Sequence, residues 1–159
     1  MTTIVIDWNN STLYTDSRAS WGEVKSKWTG KVKHESGFSD DYLKIWRTKD
    51  PYRFFTGTGA VRDIERFIKT KKNKHLKSTI VWEIDAKARR VISHKSYGSE
   101  DITDCSKFVA NGSGSSCFET AMNFTDDVKE AMSKITDPYT GGKIQSYKID
   151  WSYLYEDVH

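Results

Sequence analysis

The feature that most constrains the fold is the order of β-prone and helical segments along the 159 residues of the chain. Runs of β-branched and aromatic residues predict strands, and apolar residues three and four positions apart predict amphipathic helices. In chain order these are strand hairpins at 3–15 and 42–56, a helix at 61–68, a strand pair at 79–93, a strand at 108–110, two helices between 116 and 135 and a last strand at 144–149. Strands in runs, separated by grouped helices, favour an α+β fold over a doubly wound parallel sheet.

Two segments allow more specific predictions. From Ala19 to Asp41 the apolar residues are scattered among Lys, Ser and Gly, so we expect irregular structure there. Thr125 stands before two acidic residues and an apolar helical stripe. This pattern predicts Thr125 as a helix N-cap, with Asp126 and Asp127 in the first turn, where the helix dipole favours negative charge.

The composition is that of a folded protein with one domain, spanning residues 1–159. Aromatic residues make up 13% of the chain, which is too many for a disordered protein, and the mean hydropathy is −0.69. The sequence has no export signal and no apolar run long enough to span a membrane. We therefore expect a cytoplasmic protein that does not enter membranes.

The cysteine and histidine residues do not have the spacing of a metal site. Cys105 and Cys117 lack the close pairing of a metal knuckle, so free thiols are expected. The four histidines, at positions 34, 75, 94 and 159, show no ligand spacing either. We predict no zinc site and no cofactor.

The positive charge is concentrated in one run. The net charge is +3, and much of the excess comes from Lys69 to Lys77. No aromatic residue is interleaved with these lysines for stacking on bases. The run therefore favours a solvated loop over a nucleic-acid site.

The first residues of the chain carry the chemistry of interest. Removal of Met1 would leave Thr2 with both a hydroxyl group and a free α-amine. An α-amine has a pKa of about 8, so it can act as a base near neutrality. One residue would then supply nucleophile and base together. The alternative is that Thr2 is a small second residue without chemistry.

Several further motifs follow in the chain. Thr2-Thr3-Ile4-Val5 opens the first hairpin, and Asp16 and Arg18 close it. Lys44 precedes a glycine-rich stretch before a helix, and two later motifs carry hydroxyl and acidic residues. The glycine-rich stretch is Gly57-Thr58-Gly59, and the two later motifs are Asn111-Gly112-Ser113-Gly114 and Asp137 with Thr140 and Gly141. In this order they resemble the β-type proteasome subunits and the bacterial HslV peptidase, which are N-terminal nucleophile hydrolases.

The resemblance implies a fold and a reaction. The fold would be a four-layer αββα sandwich, with two antiparallel sheets packed between helices. The reaction would be peptide or amide hydrolysis by a threonine peptidase, with Thr2 as nucleophile. Lys44 would carry a positive charge beside Thr2, and Asp16 would be the ion-pair partner of Lys44.

The resemblance also assigns supporting roles. Ser113 and Asp137 would hold the α-amine, and Thr140 would shape the same pocket. Arg18 would support Asp16. A backbone N–H from Gly57, Thr58 or Gly59 would meet the oxyanion, since glycine permits close approach. By resemblance alone, the partners would be a peptide or protein substrate, other copies in a homo-oligomeric ring and an ATP-dependent unfoldase.

Each assignment has an ordinary structural alternative. Asp16 and Arg18 would form a surface ion pair, Ser113 would be a helix-entry serine, and Asp137 would begin an Asp-Pro turn. The segment between Arg18 and Lys44 is longer than in the family, so Lys31 and Lys33 compete with Lys44 for the lysine role.

Two other functions remain open at this stage. One is an inactive member of the same fold that serves as a binding or assembly module, with the aromatic stretch Trp151–Tyr155 as its contact surface. The other is a nucleic-acid-binding protein that uses Lys69 to Lys77.

Overall fold

The computed structural model describes residues 2–21, 24–34, 37–40, 42–88, 90–103, 108–136 and 140–149. Met1, Cys105, Asp137 and the stretch Trp151–Tyr155 lie outside these residues. Cys117 is a free thiol. No helix among the described residues is both long and apolar enough to cross a membrane.

Short strands and three α-helices make up the described chain. The strands are β1 (Thr3–Asp7), β2 (Thr12–Thr15), β3 (Ala19–Trp21), β4 (Val24–Lys25), β5 (Val32–His34), β6 (Gly37–Ser39), β7 (Trp46–Arg47), β8 (Arg53–Thr58), β9 (Ile80–Asp85), β10 (Arg90–Lys95), β11 (Gly98–Asp101), β12 (Phe108–Gly112) and β13 (Gln145–Lys148). The helices are α1 (Val61–Thr70), α2 (Ser115–Ala121) and α3 (Val128–Ser133), with a short 3-10 helix at Asn73–His75.

Two antiparallel sheets organise these elements. The first sheet has the strand order β12-β1-β2-β13, and the second has the order β11-β10-β9-β8-β7. Two smaller pairs, β3 with β6 and β4 with β5, lie between β2 and β7 in the sequence. The mixture of helices and antiparallel sheets confirms the predicted α+β class.

Strand β1 is buried on both of its faces. Successive side chains of a strand point to opposite faces, so Ile4 and Ile6 share one side and Val5 has the other. Ile4 and Ile6 join a cluster that also contains Trp82 from the second sheet. Val5 instead packs in a cluster with Phe118 and the apolar residues of α3. Burial of both faces explains why the three residues from position 4 to position 6 of β1 are all apolar and β-branched.

The outer face of the second sheet is covered by α1. Phe55 and Val81 of that sheet pack with Ile64 and Phe67, which lie three residues apart on the helix. These two helical residues are almost fully buried. The residues whose spacing predicted the helix therefore lie on the face that contacts the sheet.

The structure corrects several local predictions. Within residues 19–41, where irregular structure was expected, the chain forms the four short strands β3 to β6. The predicted strand at 42–47 is reduced to Trp46–Arg47, and the strand at β11 was not predicted. The N-cap of α3 is Asp127 rather than Thr125, because the Asp127 carboxylate accepts the N–H groups of Lys129 and Glu130. Asp and Thr are both good caps, so the sequence did not distinguish them.

Candidate active site

Asp16 is the centre of a buried polar cluster at the start of β1. It is only 2% exposed. Its Oδ1 atom accepts hydrogen bonds from the Thr2 hydroxyl at 2.5 Å, the Thr3 backbone N–H at 3.1 Å and the Lys44 ammonium at 2.7 Å. The hydroxyl and the ammonium thus share one carboxylate oxygen. A buried carboxylate requires such partners, because an unpaired buried charge is very costly.

The second oxygen of Asp16 is held by backbone groups. Oδ2 accepts the N–H of Arg18 at 3.2 Å and the N–H of Gly141 at 3.0 Å. Gly141 belongs to a segment far away in sequence, so Asp16 ties that segment to the first hairpin. With both oxygens bonded to fixed backbone donors, the carboxylate has a defined orientation.

The hairpin register explains how the sequence brings Asp16 to Thr2. Ile4 lies opposite Thr15, and the Asp16 N–H donates to the Thr3 carbonyl at 3.3 Å. In an antiparallel pair the loop length fixes this register. The residue after β2 therefore lies beside the residue before β1.

Lys44 reaches the cluster from the chain segment that precedes β7. The prediction that Lys44 lies on a strand is wrong, because the strand begins at Trp46. Its backbone is nevertheless held by the Thr56 hydroxyl, which donates to the Lys44 carbonyl at 2.8 Å. Lys44 is 4% exposed, and burial lowers the pKa of its ammonium, while the Asp16 carboxylate acts in the opposite direction. The competing Lys31 is exposed, and the side chain of Lys33 is outside the described part of the structure.

A second group of hydroxyls lies behind Thr2. The Thr3 and Thr140 hydroxyl oxygens are 2.7 Å apart, and those of Ser113 and Thr140 are 3.4 Å apart. The Gly114 N–H donates to the Thr3 hydroxyl, and the Ser113 N–H donates to the Thr2 carbonyl at 3.1 Å. Ser113 therefore lies next to the Thr2 backbone, and Thr140 lies next to the hydroxyls of Thr3 and Ser113. Thr3 was missed as part of the cluster, although its position after Thr2 was the available signal.

Gly112 is required for this close packing. It has a φ of +113°, and a Cβ there would overlap the Thr2 backbone. The Asn-Gly-Ser-Gly motif thus serves to bring β12 against the start of β1.

Arg18 pairs with a residue that the sequence did not indicate. Its guanidinium makes two bonds to the Asp40 carboxylate, at 2.7 and 3.0 Å. The bidentate bond from Arg18 lowers the pKa of Asp40 and raises the pKa of Arg18. Asp16 and Arg18 do not form the surface ion pair considered above, because the buried Asp16 side chain pairs with Lys44. Asp40 lies 22 residues from Arg18, so no local pattern connects them.

A cleft opens beside Thr2. Its volume is about 240 Å³, and it is lined by Thr2, Arg18, Ala19, Lys44, Trp46, Gly57, Gly59, Ala60, Val61, Arg62 and Ile64.

Gly57 and Thr58 belong to β8 rather than to a turn, and only Gly59 lies beyond the strand. Gly59 has a φ of +114°, and a Cβ there would lie 2.6 Å from the Thr79 hydroxyl oxygen. The Thr58 hydroxyl donates to Asn111 at 2.9 Å.

No group of three or more His, Cys, Asp or Glu side chains in the described residues has the arrangement of a metal site. The described carboxylates of the candidate site are Asp16 and Asp40, and each of them pairs with a cation. Such an arrangement can hold a hydroxyl group and a positive charge at the wall of an open cleft.

Comparison with known proteins identifies the fold. No protein-family model matches the chain, and no curated protein matches it. Among solved structures, the chain is similar to eukaryotic HslV from Trypanosoma brucei, with a TM-score of 0.56 and 16% sequence identity. The match covers 92% of this chain and 98% of the HslV chain. At this identity the likeness establishes the fold alone, and the fold is HslV-like, that is, proteasome-like.

Proposed function

We propose that this protein is a threonine-type N-terminal nucleophile peptidase or amidase, with Thr2 as nucleophile once Met1 has been removed. One observation carries the proposal. The Thr2 hydroxyl and the Lys44 ammonium meet at a single oxygen of the buried Asp16, and Thr2 and Lys44 both line an open cleft. A polar cluster that only stabilised the core would not need to border an open cleft.

The reaction begins at the Thr2 hydroxyl. Thr2 Oγ1 attacks the carbonyl carbon of the substrate, and its proton passes to the freed α-amine, directly or through a water. The C–N bond then breaks, the leaving amine takes the proton, and an acyl ester remains on Thr2. Water hydrolyses this ester, and the hydroxyl is restored.

Lys44 and Asp16 prepare the nucleophile. The Lys44 charge stabilises the developing negative charge on Thr2 Oγ1 and disfavours protonation of the α-amine. Asp16 holds Lys44 in place and orients the hydroxyl through its 2.5 Å hydrogen bond. We assign these roles because the Thr2 hydroxyl and the Lys44 ammonium both bond to Asp16 Oδ1.

The remaining predicted site residues have supporting roles in the proposal. Ser113, whose N–H donates to the Thr2 carbonyl, would hold the α-amine together with Asp137 by resemblance, and Thr140 would shape the same pocket. Arg18, fixed by Asp40, forms part of the cleft wall. A backbone N–H from the stretch 57–59 would meet the oxyanion, and Gly57 and Gly59 line the cleft on that side.

The proposal includes the larger architecture. Three apolar clusters lie between the two sheets, between β1 and the helices α2 and α3, and between the second sheet and α1. They support the proposed order of layers, helix–sheet–sheet–helix, in a four-layer sandwich. A homo-oligomeric ring, an ATP-dependent unfoldase partner and a cytoplasmic location rest on the family resemblance alone.

The test compares two alanine variants. Thr2→Ala keeps a small second residue, so Met1 is removed as in the parent protein, but the hydroxyl is lost. Thr29→Ala removes an exposed hydroxyl outside the cleft lining and serves as the control. With N-termini verified by mass spectrometry, hydrolysis of fluorogenic peptides should fall at least about a thousandfold in Thr2→Ala and stay unchanged in Thr29→Ala.

Two results would count against the proposal. Equal hydrolysis by Thr2→Ala and the parent protein would remove Thr2 from the mechanism. No hydrolysis of any peptide by the processed parent protein would favour the inactive binding or assembly module.

A further inference from the structure

Cationic side chains line the cleft beside Thr2, and they are not equivalent. Arg18 is paired with Asp40, and Lys44 is paired with Asp16. The third cation, Arg62, lies in the first turn of α1 and is exposed. Within the described residues Arg62 has no carboxylate within ion-pair distance. Among the described residues, therefore, no carboxylate pairs with the positive charge that Arg62 brings to the cleft.

The two acidic residues of α1, Asp63 and Glu65, do not line the cleft. Glu65 is one turn further along α1, and after burial its carboxylate is the second cause that raises the pKa of Tyr42. Arg62 lines the cleft, whereas Glu65 does not.

The rest of the cleft wall beside Arg62 is apolar. Trp46 and Ile64 belong to the cluster under α1 or pack against it, and Ala60 and Val61 continue this surface to the helix start. The volume of about 240 Å³ fits one amino-acid side chain. A side chain with an apolar stem and a negatively charged end matches this combination of wall and charge.

We propose that this cleft receives the side chain on the acyl side of the scissile bond, and that Arg62 selects a glutamate there. The inference rests on the proposed peptidase activity of Thr2. Arg62 is then a specificity residue that contacts the substrate side chain, while Thr2 carries the reaction. The preferred substrates are peptides in which the residue acylating Thr2 is acidic.

The test is a set of fluorogenic peptides that differ only at this position. Glu and Gln have nearly the same shape, so the ratio of the kcat/KM values of these two peptides measures the effect of the negative charge alone. The Lys peptide carries the opposite charge at the same position. The Glu peptide should be cleaved about threefold to tenfold better than the Gln peptide, with the Lys peptide below both. The Glu preference should decrease with added salt, because the contact is partly open to solvent.

Variants of α1 assign the preference to one residue. Arg62→Gln should make the Glu and Gln peptides equal, and Arg62→Glu should favour the Lys peptide. Arg66→Gln removes an exposed arginine one turn further along the same helix, outside the cleft lining, and should leave the preference unchanged.

The outcomes separate this inference from the activity itself. Cleavage of the Gln peptide without a Glu preference, or a Glu preference that persists in Arg62→Gln, would overturn the role of Arg62 and leave Thr2 as the nucleophile. Absence of cleavage of all peptides by the processed protein would overturn the proposed activity, and the inference with it.

Discussion

Two networks in this protein are built around a carboxylate, and they differ in burial and in origin. Asp16 is almost completely buried and collects hydroxyl, ammonium and backbone donors from distant segments. Glu83 on β9 is 18% exposed and accepts from His94 at 3.2 Å, with the Arg53 guanidinium 3.7 Å away. His94 also contacts the Ser99 hydroxyl at 2.6 Å.

The residue types alone do not distinguish the two networks. Ser99, His94 and Glu83 are types used in nucleophilic catalysis. Here, however, they lie on adjacent strands of one sheet, with Ser99 directly opposite His94. The His94 ring packs on Phe67 at 4.7 Å, and Ser99 is exposed. We interpret this network as a cross-strand ladder that stabilises the sheet. A buried carboxylate that joins distant segments beside a cleft is the stronger indication of function.

Replacing the central carboxylate should produce the largest difference between the two networks. Asp16→Asn leaves Lys44 buried without its counter-charge, so we expect a loss of about 3–5 kcal/mol in the free energy of unfolding. Peptide hydrolysis should be lost as well. Chemical denaturation measures the first effect, and Asp40→Asn, at a partly exposed ion pair, is the control with a smaller loss. A change below about 1 kcal/mol with retained hydrolysis would contradict the central role of Asp16.

The charge of Lys44 should appear in the pH dependence of hydrolysis. Burial lowers the Lys44 pKa, so its ammonium loses its proton at a lower pH than an exposed lysine, whose pKa is near 10.5. If the charged form is required, kcat/KM falls on the alkaline side before pH 10.5 is reached. Lys44→Arg, if active, should extend activity to higher pH, because an arginine stays charged. Constant kcat/KM through pH 10.5 in a protein that circular dichroism shows to be folded would exclude this role.

The smallest effect is expected at the Glu83 network. Glu83→Gln should leave hydrolysis unchanged and reduce the free energy of unfolding by about 1 kcal/mol at neutral pH. The hydrogen bond from His94 lowers the Glu83 pKa below 4.5, so this stabilisation is present above the unfolded pKa and is lost as the pH falls through the folded pKa. The difference between variant and parent should therefore close in acid. Glu100→Gln, at a 69% exposed carboxylate, is the control, and a large loss of hydrolysis in Glu83→Gln would contradict the structural interpretation.

The sequence predicted those parts that depend on local pattern. The first hairpin follows from alternation and turn residues, and its register places Asp16 beside Thr2. The strands β3 to β6 were not predicted, because they are only two or three residues long and polar residues dominate the segment. Long-range contacts were the other gap. Asp40 meets Arg18 only because the chain returns after β6, and Thr3 meets Thr140 across 137 positions.

Catalysis by Thr2 depends on cleavage of the Met1–Thr2 bond and on a reactive hydroxyl at Thr2. The most direct measurement is peptide-mapping mass spectrometry of the natively produced protein after treatment with an acylating β-lactone. We predict an N-terminal peptide that begins at Thr2, lacks Met1 and carries the acyl group on the Thr2 hydroxyl. An N-terminal peptide that retains Met1, or one that begins at Thr2 and remains unmodified, would contradict the account.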